Sequence, residues 1–257
     1  MDWSISILLI IMALGFLAAF IDAVVGGGGL ISIQTLLAVG LPPSIALGTN
    51  KLASVFGSMT SAIRFIRSGK VDLKLVGRLF VPVFILAMLG ASLATFLPAQ
   101  LLKPIVIVIL TLVLFYTIFK KDWGDVRRFQ SFTVKKALLI TVLLSLIGFY
   151  DGFLGGGTGS FMMFILLIFG FDFLGAAGNA KVLNFASNLG ALILFIILGE
   201  VNYLYGLIMA ASMIAGSYVG AMFAIKQGVG YVKVLFIVVT ALLILKNAYD
   251  YVMQLLH

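Results

Sequence analysis

Four charged residues stand in apolar surroundings: Asp22, Lys51, Asp151 and Lys181. Each aspartate runs into glycines, as Asp22-Ala23-Val24-Val25-Gly26-Gly27-Gly28-Gly29 and again as Asp151-Gly152-Phe153-Leu154-Gly155-Gly156-Gly157-Thr158-Gly159. Each lysine follows a glycine and polar residues, as Gly48-Thr49-Asn50-Lys51 and Gly178-Asn179-Ala180-Lys181. A charge at membrane depth is costly, and glycine weakens a helix. Such a break, met twice at matching places, points to a transport site built from interrupted helices. Helix N-termini carry partial positive charge and unpaired N–H donors, and a lysine beside them makes an anion site. Thr49, Asn50, Lys51, Asn179, Lys181 and Asn184 are the expected substrate contacts, with Ser44, Ser54, Ser187 and Asn188 available for further oxygens. Gly27, Gly28, Gly156, Gly157 and Thr158 join them, because glycine runs can leave N–H groups free as an anion nest. Asp22 and Asp151 are expected as proton or charge partners.

Blander readings stay open here. The lysines could snorkel to an interface, and the aspartates could cap the breaks or pair with the lysines. Enzyme chemistry finds little material. The chain has no cysteine and its one histidine is His257, so a catalytic triad or a histidine-based metal site is excluded, and no metal or cofactor is expected. An intramembrane aspartyl enzyme would use Asp22 and Asp151, but their contexts lack Tyr-Asp and Gly-x-Gly-Asp signatures outside Phe149-Tyr150-Asp151-Gly152. No glycine run ends in Gly-Lys-Ser/Thr, which argues against a phosphate loop. A membrane assembly subunit without transport of its own is the other alternative.

The elements that must position these residues are membrane helices. Of 257 residues, 63% are hydrophobic and 10% charged, against roughly 25% charged in soluble domains. The start Met1-Asp2-Trp3-Ser4 lacks the basic region of a cleaved leader, so a retained segment is expected from about residue 4. Apolar runs cover 4–25, 29–40, 44–66, 75–97 and 101–119, then 136–154, 159–170, 174–198, 203–224 and 231–253. The fold expected is all-α and polytopic, with 8–10 membrane segments, some of them short or broken. Asp22 aligns with Asp151 and Gly26-Gly27-Gly28 with Gly155-Gly156-Gly157; one residue further, Gly40, Gly48, Lys51, Gly69, Val71 and Lys103 align with Gly170, Gly178, Lys181, Gly199, Val201 and Lys233. This order marks a duplication: residues 1–119 as a first repeat, 120–135 as a basic linker and 136–257 as a second repeat. The net charge of +8 is concentrated in Arg64, Arg67, Lys70, Lys74 and Arg78 and in Lys120, Lys121, Arg127, Arg128, Lys135 and Lys136. Loops 64–78 and 120–136 therefore read as cytoplasmic, not as a nucleic-acid surface. The loop equivalent to 64–78, around Gly199-Glu200-Val201-Asn202, has no basic residue. That difference favours an inverted repeat with both termini outside, over parallel repeats with re-entrant segments. The expected setting is the inner (plasma) membrane; a homo-oligomer is left open.

The duplicated Asp…Gly-Gly-Gly break, Pro42-Pro43, Gly48-Thr49-Asn50-Lys51, Gly155-Gly156-Gly157-Thr158-Gly159 and Gly178-Asn179-Ala180-Lys181 resemble the TauE/SafE family. These are sulfite and organosulfonate exporters, including YfcA-like permeases, and the resemblance covers nearly the whole chain. It implies an inner-membrane permease for sulfur-containing or other small anions, with Asn50, Lys51, Asn179 and Lys181 as carried-over anion contacts. The second copy departs from the first, with Asn179-Ala180 where the first has Thr49-Asn50, so the two halves are not equivalent. The expected mechanism is alternating access around a midplane anion.

Overall fold

In a computed structural model describing residues 5–94, 111, 114, 115, 117, 124–129 and 133–256, every regular element among the described residues is helical. The helices are α1 (Ile5–Val25), α2 (Gly28–Ala38), α3 (Pro43–Arg67), α4 (Leu73–Leu93), α5 (Val134–Phe153), α6 (Thr158–Ile168), α7 (Phe173–Ile197) and α8 (Tyr203–Leu256). Gly228 (φ 81°, ψ −165°) interrupts α8, between the two segments the sequence predicts there. The expected segment 101–119 and much of linker 120–135 lie outside the described residues.

Local chemistry explains the boundaries. Pro43 opens α3, where a missing N–H costs nothing. The Asp72 and Asp172 carboxylates accept from Leu75 N and Gly175 N to cap α4 and α7, and Asn202 Oδ1 accepts from Tyr205 N at the start of α8. Gly27 and Gly157 precede α2 and α6 in the left-handed conformation (φ 89° and 84°), which costs any residue with a Cβ. Because these two glycines hold equivalent caps, the extra residue of the second run is Gly156.

α1, α4, α5, α7 and the Tyr203–Lys246 part of α8 are long and apolar enough to cross a membrane. α2 and α6 have 11 residues each, about 16 Å, too short for a core of about 30 Å. α3 has 25 residues and is more polar than the other long helices, with Thr49, Asn50, Lys51, Ser58 and Ser61 buried along it. Those groups face protein.

Glycine contacts set the packing. On α8, Gly216 and Gly220 lie against the carbonyls of Phe16 and Phe20 on α1; on the other side of the molecule, Gly90 of α4 and Gly152 of α5 lie against the carbonyls of Phe149 and Ala87. Gly48 at the start of α3 meets the Glu200 carbonyl, and Gly178 on α7 meets that of Lys70. Absence of a Cβ lets these backbones approach. Contacts between α3 and α8 ascend together, from Gly48–Glu200 through Gly206–Leu52 to Gly57–Met213. Those between α4 and α7 do likewise, from Gly178–Lys70 to Gly190–Phe84. α3 and α7 instead cross in opposite directions, with Lys51 on Asn188 and Phe65 on Gly178. The crossing of α3 and α7 places both lysines in the middle of the molecule.

The larger apolar core gathers Phe65, Leu79, Val83, Met162, Met163, Phe173 and Phe236 around this crossing. Part of the linker is pinned to it. Arg128 N and Phe129 N donate to Gly170 O, and Arg127 pairs with Asp72 at 3.0 Å.

Candidate functional site

Lys51 lies eight residues into α3, beyond its N-terminal turn, and is 1% exposed. Its ammonium pairs with Asp151 of α5 at 3.0 Å and donates to Asn188 Oδ1 of α7 at 3.2 Å. Asp151 is 2% exposed. It also accepts from Thr158 Oγ1 at 2.8 Å and from Ser187 Oγ at 2.5 Å. A buried ion pair holds only when further hydrogen bonds complete both ions, and here the carboxylate has three donors. Gly155 sits beside this pair, where an added methyl carbon would lie 3.0 Å from Lys51 Nζ.

The reciprocal pair joins Lys181 of α7 to Asp22 of α1 at 2.6 Å. Lys181 is 0% exposed, whereas Asp22 is 24% exposed. Gly28 N, at the start of α2, donates to Asp22 Oδ1 at 3.3 Å. Asp22 forms part of the wall of a cavity of about 20 Å3, lined also by Ser32, Ser54, Ser58 and Ser217. That volume admits a water molecule or so; a sulfur oxyanion would need the helices to move.

The two glycine breaks meet between these pairs. Ser160 Oγ donates to Val25 O at 2.9 Å, Gly26 packs on Gly159 and Ser160 N, and Gly29 faces the Gly155 carbonyl. Neither break could carry larger residues at this contact without parting the backbones.

The expected substrate contacts separate into three groups. Lys51 and Lys181 are buried in protein, which removes the snorkelling alternative. Asp22 and Asp151 are their charge partners. Thr49 and Asn179 face away from the pairs: Asn202 N donates to Thr49 Oγ1 at 2.9 Å, and Asp72 N donates to Asn179 Oδ1 at 3.0 Å. Both tie the α3 or α7 start to the loop entering α8 or α4. Asn50 accepts from Ser32 Oγ at 2.6 Å, behind the cavity wall. Asn184 is buried one turn before Asn188 and accepts from it through its carbonyl at 2.8 Å. Gly27 and Gly157 are caps, Gly28 and Thr158 touch the aspartates, and Gly156 O accepts from the Tyr150 hydroxyl. Sequence reasoning missed Ser58 and Ser217. The four-residue spacing of Ser54 and Ser58, one helical turn, was the available signal for the first. Ser217 stands between Gly216 and Gly220, whose small-residue spacing signals helix packing and not a site.

A family model described as Sulfite exporter TauE/SafE matches residues 11–247. A "Probable membrane transporter protein" of Haemophilus influenzae is 36% identical, covering 97% of this chain and 98% of its own. "Probable membrane transporter protein ORF9" of a Sinorhizobium species is 37% identical over 97% and 95%. "Probable membrane transporter protein YfcA" of Escherichia coli is 33% identical over 94% and 89%. No solved structure matches the chain.

Proposed function

From the premise that this chain belongs to the sulfite exporter TauE/SafE family, we propose that it exports small sulfur oxyanions or organosulfonates by alternating access. It is a multi-pass membrane transporter of that family, not an enzyme, and works on a small substrate within a lipid bilayer. The observation that carries the substrate proposal is the Lys181–Asp22 pair at the cavity. A buried ammonium is held there by a carboxylate that is itself partly exposed. An incoming oxyanion offers the ammonium the same kind of oxygen that Asp22 offers. The serine hydroxyls of the wall can donate to its remaining oxygens, as bound anions require.

The two halves act as inverted repeats in this reading. The directions in which α3 and α7 cross, and in which each packs on α8 and α4, support it. Loops 64–78 and 120–136 then face the cytoplasm and both termini lie outside, in the plasma membrane. Rocking of one repeat on the other, about the touching glycine breaks, would open the cavity to each side in turn.

The test is thermal unfolding of detergent-purified protein with sulfite, thiosulfate, methanesulfonate, sulfate, acetate and chloride. A ligand that binds only the folded state raises its Tm. We expect a rise with a sulfur oxyanion or sulfonate, lost in the double variant Asp22→Asn with Lys181→Gln, which keeps a neutral hydrogen-bonded pair. A wild type whose Tm responds to none of these anions overturns the proposal.

A further inference from the structure

We infer that each anion bound at Lys181 is accompanied by a proton on Asp22, so that transport of a monoanion is electroneutral. The inference rests on the anion-permease reading above and goes beyond it by assigning the coupling ion and the residue that carries it.

The cavity offers an anion a way to the ammonium. Lys181 is fully buried and does not line the cavity, whereas its partner Asp22 does. The anion must take the carboxylate's place. If Asp22 stayed ionised, two negative charges would share one ammonium beside Ala18, Ala19 and Met213, where little water can screen them. A proton on Asp22 restores the balance. The charges are then one ammonium and one anion, as they were one ammonium and one carboxylate before.

The surroundings can accept the neutral acid. Gly28 N–H keeps its bond to Oδ1, and the new O–H can donate to water in the cavity or to the oxygens of Ser54, Ser58 or Ser217 on its wall. Among the described residues the charged group facing Asp22 is Lys181. α2 and α6 carry no charged residue, Lys51 of α3 is turned to Asp151, and α8 presents Met213 and Ser217. The second pair offers no such route. Asp151 is buried and already accepts from Lys51, Thr158 and Ser187.

The cycle balances as follows. A proton from the loading side joins Asp22, its bond to Lys181 breaks, and the anion binds the ammonium, which keeps its own three protons. On the far side the anion leaves, Asp22 releases its proton to that side, and the Asp22–Lys181 pair re-forms for the return. The membrane potential then does no work on a monoanion, and export follows the anion gradient and the pH gradient.

Methanesulfonate is the probe, because it is a monoanion that takes up no proton near neutral pH. Wild-type protein in lightly buffered detergent is mixed with it, and proton uptake is read with a pH indicator. We expect about one proton taken up per methanesulfonate bound, across the pH range in which the free protein holds the Asp22–Lys181 ion pair. Affinity there should fall about tenfold per pH unit. Asp22→Asn should bind without uptake and without that slope. Binding by wild type with no proton uptake, or uptake that persists in Asp22→Asn, overturns this inference and leaves the permease reading standing. Failure of methanesulfonate and all the other anions to bind overturns the permease reading itself, and this one with it. The wild-type measurement decides the matter even if the variant does not fold.

Discussion

Asp151 and Asp22 hold equivalent places and each meets the lysine of the opposite half, yet one is packed solid and the other borders a cavity. The difference lies in the residues around them. Where the first half has Gly28, Ser54, Gly57 and Ser58, the second has Thr158, Asn184, Ser187 and Asn188 at the equivalent positions. Three of these larger side chains bond directly to the Lys51–Asp151 pair. Ser217 on the cavity wall corresponds to Ala87. Both motifs carry the charges, while the cavity lies beside the pair of Asp22. A buried ion pair is thus compatible with two duties. Complete hydrogen bonding makes it a clasp, and a cavity beside it leaves one partner replaceable.

The strongest way to break this comparison is Asp151→Asn. It leaves Lys51 buried without a counter-charge, and we expect a loss of about 3–5 kcal/mol of stability, read by thermal or denaturant unfolding in detergent. Replacing both Lys51 and Asp151 by Met and Leu should cost less than the single change, since no lone charge remains. Equal or greater loss in the double variant would show that the pair is more than a clasp. Ser58→Asn sharpens the comparison by giving the first half the second half's side chain. Anion affinity should fall about tenfold, roughly 1.4 kcal/mol, with little change in ligand-free unfolding; titration calorimetry reads the first and a melting curve the second. Thr49→Val removes the acceptor for Asn202 N, and about 1 kcal/mol of stability should go with it, while anion affinity is unmoved. A large affinity loss there would return Thr49 to the binding site. Arg127→Ala breaks a partly exposed pair with Asp72, and a change below about 1 kcal/mol is expected in the same unfolding assay.

Much of the fold was legible because membrane helices obey simple constraints. Apolar runs located α1, α4, α5 and α7 within a few residues, and Gly228 stood between the two predicted parts of α8. Gly15, Gly57, Gly90, Gly148, Gly190, Gly216 and Gly220 each lie against a neighbouring helix, as small residues in membrane helices do. The site was legible in its charges but not in its partners. The sequence places Lys51 and Lys181 near helix starts, but Pro43 opens α3 two turns earlier. Which aspartate meets which lysine depends on the crossing of α3 and α7, a contact more than a hundred residues distant in sequence. Thr49 and Asn179 looked like ligand contacts because polar residues beside a buried lysine invite that reading. Their bonds to the backbones of Asn202 and Asp72 could be found only by knowing where those loops end.

The crosswise pairing also constrains how the protein is made. Asp22 and Lys181 are 159 residues apart, and a ribosome adding about 5–20 residues per second needs roughly 10–30 s to cover that distance. Throughout that interval the newborn α1 carries an acid at membrane depth whose ammonium has not yet been synthesised. The first half therefore lacks this partner until α7 arrives, and until then its aspartate is protonated, hydrated or held by the insertion machinery. Nascent chains halted before residue 181 should accordingly be short-lived in the membrane, and those halted after α8 should persist.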